Sequence, residues 1–559
     1  MLRLHAIGGP VRAALIGAVA AALIVLPALG AGTLWDNSET AYGEVAREIL
    51  LTHDWVIMHL NNAPYFVQPP LYFWIGALFA MQFGVTAFAL RLSSALATIA
   101  LSAFTGYAVA RQGGGRVGAY AAVILSTCLM QVVIGRLAIM DALLDLTVAM
   151  TIFWWFRGLE TGRDRYFVFG WIAAGIGFLA KGLVAPVAAL LVIVPFYLWN
   201  RRCEPTNLPS GRGWVFGLAA FFAIVVPWPA AVAQHSGLSA LQTLLGEYTV
   251  GRYLGVIENQ SGPLLYYVPV IILAFFPWIA FFPAAVAYAI SQLKIDFAGQ
   301  SQLSRLVRLS FTWIVMPLLF FSFARTKLPN YVALEFPALA AITAIYFDGL
   351  VRRGATRSAA ISAAIVPVTI GALAFAIWLF TRNNRLTAEV AAAVPPLVGM
   401  ALAVFAGSVL TAWLVAHART VRAAPYALAV ACIVAVDVVA VTVFPHAEVF
   451  KPVPRLAALI DRQRQPGDVV AIQGVSGGNA LLFYTRPEVR VLAPPNDGDP
   501  QSGALDPRSV ICGAPRAWVV APASHALEDP TYGRHRRIVA VDRTAALLLY
   551  YGGPCPPNT

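Results

Sequence analysis

The chain is a succession of apolar segments, each long enough to cross a lipid bilayer. It has 559 residues, of which 59% are hydrophobic and 12% are charged. A soluble protein of this length cannot bury so much apolar surface, so most of the chain must use lipid as its solvent. We predict about thirteen transmembrane segments of roughly 20 residues, near residues 13–30, 88–110, 117–134, 142–160, 166–180, 182–199, 214–235, 264–290, 309–325, 328–347, 358–380, 394–416 and 425–446.

The basic residues predict the orientation of these segments. The net charge is +12, but the cations recur in small groups between alternate spans instead of clustering on one segment. This pattern is typical of membrane orientation and does not favour nucleic-acid binding. The groups and the N-terminus are expected on the cytoplasmic side: Arg111/Arg116, Arg157/Arg163/Arg165, Arg201/Arg202/Arg212, Lys294/Arg305/Arg308, Arg352/Arg353/Arg357 and Arg419/Arg422. An odd number of spans then places the C-terminal tail on the exoplasmic side.

The tail, residues 447–559, differs in character from the membrane part. Short β-like runs at 469–472, 481–484, 518–520 and 546–551 alternate with turns rich in Pro, Gly and Asp. We therefore predict a membrane domain over 1–446, with a juxtamembrane first loop at 31–87, and a small α/β domain over 447–559. Cys512 and Cys555 both lie in this exoplasmic tail, and we expect them to form a disulfide.

Charged residues gather at the predicted exoplasmic face. The carboxylates Asp36 and Glu39 follow the first span, in Trp35-Asp36-Asn37-Ser38-Glu39. Further charges map to the same face: Arg136, Asp141, Lys181, Arg252, Arg325 and Lys327. Basic residues are usually depleted on the exoplasmic side, so cations at this face commonly bind an anion. On a lipid, that anion is phosphate or pyrophosphate. Carboxylates beside such cations are suited to a reaction with a phosphate leaving group.

Structural roles remain open for each of these residues. Asp36 and Glu39 have the spacing of a helix capping box, and Asp141 can cap the fourth span. Lys181 can extend to the membrane interface, while Arg252 falls in a longer loop where a solvated role is favoured. The sequence contains no His/Asp/Glu cluster with metal-ligand spacing and no Ser-His-Asp set or phosphate-binding glycine loop.

Several motifs occur in an order found in one class of membrane enzyme. They are the acidic first loop with Tyr42 and residues 46–50, Asp54-Trp55, Tyr65-Phe66, residues 69–74, Arg136 with Asp141, Ala180-Lys181-Gly182 and Lys327-Leu328-Pro329-Asn330-Tyr331. With these motifs the chain resembles the GT-C glycosyltransferases of bacterial inner membranes. It is most similar to the family of the aminoarabinose transferase that modifies lipid A, and more loosely to protein O-mannosyltransferases.

The resemblance implies an all-α membrane bundle of about thirteen spans with juxtamembrane helices and a periplasmic C-terminal domain. It also implies transfer of a sugar from a polyprenyl phosphate carrier at the periplasmic face. The implied catalytic residues are Asp36, Glu39 and Asp141. The implied substrate-binding and phosphate-binding residues are Tyr42, Tyr65, Gln68, Arg136, Lys181, Arg252, Lys327 and Tyr331.

The chain departs from the family pattern at two places. The family usually has Asp-Glu-x-Arg-Tyr in the first loop, where this chain has Ser38-Glu39-Thr40-Ala41-Tyr42. Gln68 also replaces a lysine of the family motif Phe-Glu-Lys-Pro-Pro. Contact with the carrier phosphate is thus left to Lys181, Arg252 and Lys327.

The expected activity is transfer of a sugar from undecaprenyl phosphate to lipid A or another envelope acceptor, with 4-amino-4-deoxy-L-arabinose as one candidate sugar. The acceptor attacks the anomeric carbon with inversion and expels the carrier phosphate. A divalent cation could neutralise that phosphate, although the sequence does not establish one. The alternatives are a transporter or flippase for a lipid-linked sugar and an inactive scaffold. Charges at one face and the lack of repeated halves disfavour a transporter.

Overall fold

The computed structural model describes residues 8–35, 37–255, 260–295, 302–354, 356–383, 388–417, 419–444, 448–475, 478–485, 488–493, 505–524 and 534–553. The chain forms two compact units. The first unit comprises Met1–Leu29, Phe66–Ile75 and Arg91–Val443, and the second comprises Gly30–Tyr65, Gly76–Leu90 and Phe444–Thr559. The boundary near residue 443 lies close to the domain boundary predicted from the sequence.

The first unit is a membrane bundle of α-helices. Its longer helices are Gly9–Val25, Ala87–Gly113, Gly115–Thr127, Leu129–Arg136, Asp141–Thr161, Asp164–Lys181, Val184–Asn200, Gly211–Val225, Pro227–Ser236, Tyr267–Ala274, Phe282–Ile295, Gln302–Phe323, Phe336–Arg353, Arg357–Asn383, Ala388–Ala416 and Ala424–Val438. Short helical elements connect them: Leu238–Leu241, Gln242–Gly251, Arg252–Leu254, Trp278–Phe281, Pro329–Glu335, Val421–Ala423 and Val439–Val443. Helix Leu71–Phe83 precedes the second span.

Each predicted transmembrane segment overlaps a helix of the structure. Among the described residues, eight helices are long and apolar enough to cross a membrane, or ten if each of two bent helix pairs forms one span. Gly9–Val25, Leu71–Phe83 and Val184–Asn200 are shorter apolar helices. The chain is therefore a multi-pass membrane protein, and the number of thirteen spans stays a prediction.

Small residues allow the first helices of the bundle to pack closely. A Cβ atom added to Gly106 would lie 2.8 Å from the Ala13 carbonyl oxygen, and one on Gly17 would lie 2.7 Å from the Ser102 carbonyl oxygen. In lipid, such close backbone approach and the van der Waals contact it permits drive helix association. These glycines thus account for the tight contact between Gly9–Val25 and Ala87–Gly113.

A helical hairpin brings Asp141 and Lys181 to the same end of the bundle. Helix Asp141–Thr161 ends at Gly162, whose φ of 66° is favourable for glycine, and helix Asp164–Lys181 returns beside it. The segment Pro329–Glu335 is anchored at this end because the buried Trp313 donates a hydrogen bond of 2.7 Å from Nε1 to the Leu334 carbonyl oxygen.

The opposite end of the same hairpin carries a buried ionic network. Glu160 accepts hydrogen bonds from Gln112 Nε2 at 2.8 Å, Arg157 Nη1 at 2.6 Å and Arg305 Nη1 at 3.3 Å. Glu204 accepts from Arg305 Nε and Arg308 Nη2, both at 2.6 Å. Arg308 Nε also donates to Asn200 Oδ1 at 2.9 Å. The network joins four helices and pairs both carboxylates with several donors.

The second unit contains a five-stranded sheet. Its strands are β3 (Val469–Gln473), β4 (Val489–Leu492), β5 (Arg516–Pro522), β6 (His535–Asp542) and β7 (Ala545–Tyr551), in the order β4-β3-β5-β7-β6. Strands β4, β3 and β5 are parallel, whereas β5-β7 and β6-β7 are antiparallel. A small hairpin pairs β1 (His59–Leu60) with β2 (Ala63–Pro64).

Helices complete the second unit. They are Ser38–Thr52, Pro452–Gln463, Gly478–Thr485 and Pro507–Cys512, with a short turn at Glu448–Phe450. The two faces of the sheet are apolar and buried: Val470 and Trp518 lie in the cluster on one face, and Ala471 and Val519 in the cluster on the other. The prediction of an α/β fold in the tail is confirmed.

One predicted strand in the tail is wrong. Residues 481–484 belong to helix Gly478–Thr485, in which Leu481, Leu482 and Phe483 are all buried. A short apolar run is compatible with a buried helix as well as with a buried strand, so its pattern could not decide between them. Cys512 is disulfide-bonded. Cys555 lies outside the described residues, so the pairing with Cys512 stays a prediction.

Candidate active site

A buried carboxylate with two hydrogen-bond donors forms the centre of the site. Asp141 is the first residue of its helix, and its Oδ1 atom accepts from Lys181 Nζ at 2.6 Å and from Asn330 Nδ2 at 2.7 Å. Lys181 is the last residue of the second helix of the hairpin, and Asn330 lies in Pro329–Glu335. Both donors bind Oδ1, and among the described residues Oδ2 has no hydrogen-bond partner. Asp141 therefore keeps acceptor capacity for a ligand.

These residues line a cavity of about 300 Å³ within the first unit. Its polar lining includes Gln68, Asp141, Lys181 and Asn330, whereas most of its wall is apolar. The apolar residues include Val184, Val187, Leu244, Leu254, Phe320 and Phe321. A charged end beside an apolar wall fits a ligand with a polar head and a hydrocarbon chain.

Tyr331 connects the charged and the apolar parts of this cavity. Its ring centroid lies 5.8 Å from Lys181 Nζ and 5.2 Å from the Phe321 ring centroid. The ring face stabilises the ammonium group through its quadrupole. The structure thus brings together four residues predicted from the sequence: Gln68, Asp141, Lys181 and Tyr331.

Lys327 lies beside the cavity lining. Its ammonium group donates to the carbonyl oxygen of Ala324, which lines the cavity, and the side chain is only 6% exposed. Burial lowers the pKa of Lys327. Its backbone N–H donates to the Gln260 carbonyl oxygen at 2.9 Å. The ammonium therefore has a structural partner in this structure, and its phosphate contact stays a prediction.

Arg136 binds the end of the first helix. Its Nη1 atom donates to the carbonyl oxygen of Ile24 at 2.9 Å, and its Nη2 atom donates to that of Pro27 at 2.8 Å. A helix end leaves carbonyl groups without intrahelical partners, and an arginine satisfies them well. These contacts favour a structural role for Arg136 over the substrate-binding role predicted from the sequence.

The structure describes the two predicted loop cations, Arg252 and Arg325, only in part. Arg252 begins the short helix Arg252–Leu254, and the next two residues, Tyr253 and Leu254, line the cavity. The Arg252 side chain lies outside the part of the chain that the structure describes. Arg325 is exposed, and its backbone N–H donates to the Tyr253 carbonyl oxygen at 3.0 Å.

The predicted first-loop residues belong to the second unit. Glu39 is 1% exposed, and its Oε2 accepts a hydrogen bond of 2.8 Å from the Trp35 backbone N–H. This contact satisfies a backbone donor ahead of helix Ser38–Thr52, whose N-cap is Asn37, and the capping box with Asp36 stays a prediction. Tyr42 lies in that helix, and the Tyr65 backbone N–H donates to the Met58 carbonyl oxygen at 2.7 Å. Asp36 lies outside the described residues.

The same first-loop helix carries a second buried carboxylate. Glu44 is 1% exposed and accepts a hydrogen bond of 2.8 Å from Arg47 Nε. Burial raises the pKa of Glu44 from 4.5 to about 7, although the neighbouring Arg47 lowers it. Glu48, on the next turn, accepts from the Asn62 backbone N–H at 3.2 Å.

Two further polar residues were not predicted from the sequence. Asn330 is one of the two donors to Asp141, and the only sequence signal was its place in the motif Lys327-Leu328-Pro329-Asn330-Tyr331. Glu335 is fully buried, and its carboxylate oxygens have no hydrogen-bond partner among the described residues. No group of three His, Cys, Asp or Glu side chains able to hold a metal occurs in that part of the chain.

Comparison with known proteins supports the resemblance found in the sequence. Residues 67–228 match the family described as dolichyl-phosphate-mannose-protein mannosyltransferase. A crystal structure of ArnT from Cupriavidus metallidurans bound to undecaprenyl phosphate matches 96% of this chain and 97% of its own, with a TM-score of 0.77 and 21% identity. The chain has the GT-C fold. The predicted resemblance to these membrane glycosyltransferases is confirmed.

Two curated relatives have a higher sequence identity to this chain than the ArnT structure has, over shorter regions. The undecaprenyl phosphate-alpha-4-amino-4-deoxy-L-arabinose arabinosyl transferase of Edwardsiella ictaluri is 31% identical over 328 residues, or 57% of this chain and 56% of that protein. The transferase of the same description from Erwinia tasmaniensis is 30% identical over 374 residues, or 65% and 64%. The chain thus spans less than two thirds of the length of either relative in these matches.

Proposed function

We propose that this protein is an inner-membrane glycosyltransferase that moves a sugar from undecaprenyl phosphate to lipid A or another envelope acceptor at the periplasmic face. The observation that carries the proposal is the convergence of Asp141, Lys181 and Asn330 at one end of a cavity with an apolar wall. The names of the curated relatives and the undecaprenyl phosphate bound by the similar solved structure support the choice of carrier.

Lys181 is the proposed contact for the carrier phosphate. It is a cation at the cavity, held between the Asp141 carboxylate and the Tyr331 ring. A charge-assisted hydrogen bond to phosphate stabilises both the bound carrier and the negative charge that develops as the sugar leaves. The apolar wall at Val187, Leu254 and Phe320 is placed to receive the polyprenyl chain.

Asp141 is the proposed residue that faces the acceptor. Its Oδ1 is held by Lys181 and Asn330, which fixes the carboxylate and leaves Oδ2 to orient or deprotonate an acceptor hydroxyl. The acceptor oxygen attacks the anomeric carbon as the bond to the carrier phosphate breaks, with inversion. An acceptor that is itself a phosphate is already anionic and requires only positioning.

The roles of Asp36, Glu39, Tyr42 and Tyr65 follow from the family resemblance alone. In the proposed reaction they handle the acceptor or the sugar from the first loop, with Arg252 and Lys327 as further phosphate contacts. Gln68 lines the cavity where the family has lysine, so a neutral amide meets the ligand there. We propose that this replacement changes which sugar or acceptor is used.

The test is transfer by the purified protein in liposomes. Undecaprenyl phosphate carrying radiolabelled 4-amino-4-deoxy-L-arabinose, or another sugar identified from envelope lipids by mass spectrometry with and without the gene, is incubated with lipid A. We expect label on the acceptor with the wild-type protein and not with the Asp141→Asn variant. Movement of the intact carrier lipid across the bilayer without transfer would support a flippase and contradict the proposal.

A further inference from the structure

A second cavity lies at the end of the membrane bundle that is opposite to the candidate active site. It has a volume of about 120 Å³ and is bounded by the ends of helices Gly115–Thr127, Phe282–Ile295, Gln302–Phe323 and Phe336–Arg353. The positive-inside rule places this end on the cytoplasmic side. Its lining combines the apolar residues Val117, Leu303 and Ile345 with charged residues from the last turn of Phe336–Arg353.

A single buried carboxylate holds two arginines at this cavity. Asp348 is 5% exposed; its Oδ1 pairs with Arg116 Nε at 2.5 Å, and its Oδ2 pairs with Arg352 Nε at 2.7 Å. Both arginines pair with Asp348 through Nε, and within the described residues their terminal Nη groups have no hydrogen-bond acceptor. The guanidinium groups are therefore oriented but retain donors for another anion.

A third arginine is held at the same cavity by an aromatic ring. The Arg353 guanidinium carbon lies 4.9 Å from the Tyr288 ring centroid. A Cβ atom on residue 349 would collide with this ring, so Gly349 allows Tyr288 to lie where it stacks on Arg353. Within the described part of the chain, Arg353 has no carboxylate partner. Three guanidinium groups and one carboxylate leave two positive charges unbalanced.

The ionic network around Glu160 and Glu204 is more nearly balanced, since three guanidinium groups face two carboxylates there. There, Arg305 contacts both carboxylates, and Arg308 contacts Glu204 and the Asn200 amide oxygen. Around Asp348, three guanidinium groups share one carboxylate and enclose an open volume. Guanidinium groups bind phosphate oxygens in a bidentate manner, and basic pockets between membrane helices on the cytoplasmic side are suited to anionic lipid headgroups.

We propose that the cavity formed by Arg116, Asp348, Arg352, Arg353 and Tyr288 binds the phosphate of an anionic phospholipid headgroup from the cytoplasmic leaflet. The Nη groups of Arg116 and Arg352 and the Arg353 guanidinium donate to the phosphate oxygens. The apolar residues of the lining contact the lipid beyond the phosphate. This site does not depend on the glycosyltransferase activity.

The experiment measures binding of phosphatidylglycerol to the full-length protein in detergent micelles by native mass spectrometry, with phosphatidylcholine as the zwitterionic comparison. We expect the wild-type protein to retain phosphatidylglycerol preferentially. Arg353→Gln should weaken that binding about tenfold or more, since it removes a charge-assisted contact. Arg353→Lys, which keeps the charge, should lose less.

Arg165→Gln is the matched control. Arg165 is also exposed, its guanidinium carbon also lies 4.9 Å from a tyrosine ring, that of Tyr166, and it is at the same end of the bundle but outside the cavity. Unchanged lipid binding in this variant, with loss in Arg353→Gln, supports the proposal. Equal losses in both variants, or equal retention of the two lipids by the wild-type protein, would overturn it. A competition experiment with inorganic phosphate distinguishes a lipid headgroup from a free anion. Displacement of phosphatidylglycerol at millimolar phosphate would assign the site to a free anion and contradict the proposal of a lipid site.

Discussion

Helix Asp141–Thr161 carries a buried carboxylate near each end, and the two ends are built differently. The helix has 21 residues and is roughly 30 Å long, about the thickness of the hydrocarbon core. At its first residue, Asp141 has two donors on one oxygen and faces a cavity of about 300 Å³. Near its last turn, Glu160 has three donors and belongs to a network that also includes Glu204.

We interpret this difference as that between a proposed ligand site at Asp141 and a structural contact at Glu160. A carboxylate whose acceptor positions are filled by arginine and amide donors joins helices but has little capacity left for a ligand. A carboxylate held on one oxygen only, beside an open volume, is oriented and still available. Burial and charge are similar at the two ends, so the number of free acceptor positions and the adjoining space are what distinguish them.

The largest expected effect is that of Asp141→Asn. The amide keeps the shape of the side chain but cannot accept a proton, so turnover should fall about 100- to 10,000-fold while the protein stays folded. The rate of sugar transfer in liposomes, normalised to the folded fraction, measures the effect. Full turnover in this variant would leave Asp141 with only its helix-terminal role.

Glu204→Gln should change stability instead of turnover. It leaves Arg308, which is 2% exposed, without its carboxylate, and removing one partner of a buried pair costs about 3–5 kcal/mol. Chemical unfolding in micelles measures this loss. The control is Glu488→Gln, because Glu488 and Arg490 form an exposed pair that contributes about 1 kcal/mol or less. Similar stability of the two variants would contradict the structural role of the network.

Lys181→Gln tests the phosphate contact. Loss of one charge-assisted hydrogen bond, worth about 1.5–3 kcal/mol, should weaken binding of undecaprenyl phosphate roughly 10- to 150-fold. Titration calorimetry with the carrier lipid measures the dissociation constant. Lys294→Gln is the control, since Lys294 is an exposed cation on another helix. Unaltered affinity in Lys181→Gln would exclude Lys181 from the phosphate site.

Asn330→Ala should have a smaller effect on the same site. It removes one of the two donors to Asp141 Oδ1, while Lys181 still holds the carboxylate. We expect kcat to fall roughly tenfold, since a hydrogen bond to a charged group is worth about 1.5–3 kcal/mol. Because Asn330 acts through Asp141, the affinity for undecaprenyl phosphate should not change. A loss of carrier affinity without a change in kcat would instead place Asn330 at the phosphate.

The smallest effect is expected at Glu44 of the first-loop helix. Its pKa in the folded protein is about 7, above the ordinary value of 4.5. The folded state therefore holds a proton that the unfolded state releases, and the stability from Glu44 is lost as the pH rises through 7. The melting temperature of the wild type should fall between pH 5.5 and 8 relative to that of Glu44→Gln. Parallel pH profiles would contradict this assignment.

Hydropathy was sufficient to predict the membrane helices, because a chain in lipid must satisfy its backbone hydrogen bonds within each apolar segment. Each predicted segment accordingly overlaps a helix. The same reasoning placed Asp141 and Lys181 at one end, since they begin and end two consecutive helices. It could not distinguish a strand from a helix at residues 481–484, where the apolar run is too short to show a period.

Side-chain partners were harder to predict than positions. Arg136 was expected at a phosphate, but its guanidinium binds the carbonyl groups at the end of the first helix. Backbone carbonyl groups are not marked by any residue type, so this competition could not be inferred from the sequence. Asn330 was not predicted as a site residue, because an asparagine after Pro329 is as typical of a turn as of a ligand-binding position.

The most direct test of the difference between the two ends compares three proteins in one experiment. Wild type, Asp141→Asn and Glu204→Gln are reconstituted in the same liposomes, and sugar transfer from undecaprenyl phosphate is measured per folded molecule together with the midpoint of chemical unfolding. We expect Asp141→Asn to lose transfer and keep its midpoint, and Glu204→Gln to keep transfer and lose stability. Equal transfer rates per folded molecule in all three proteins would contradict the assignment of the cavity at Asp141 as the active site.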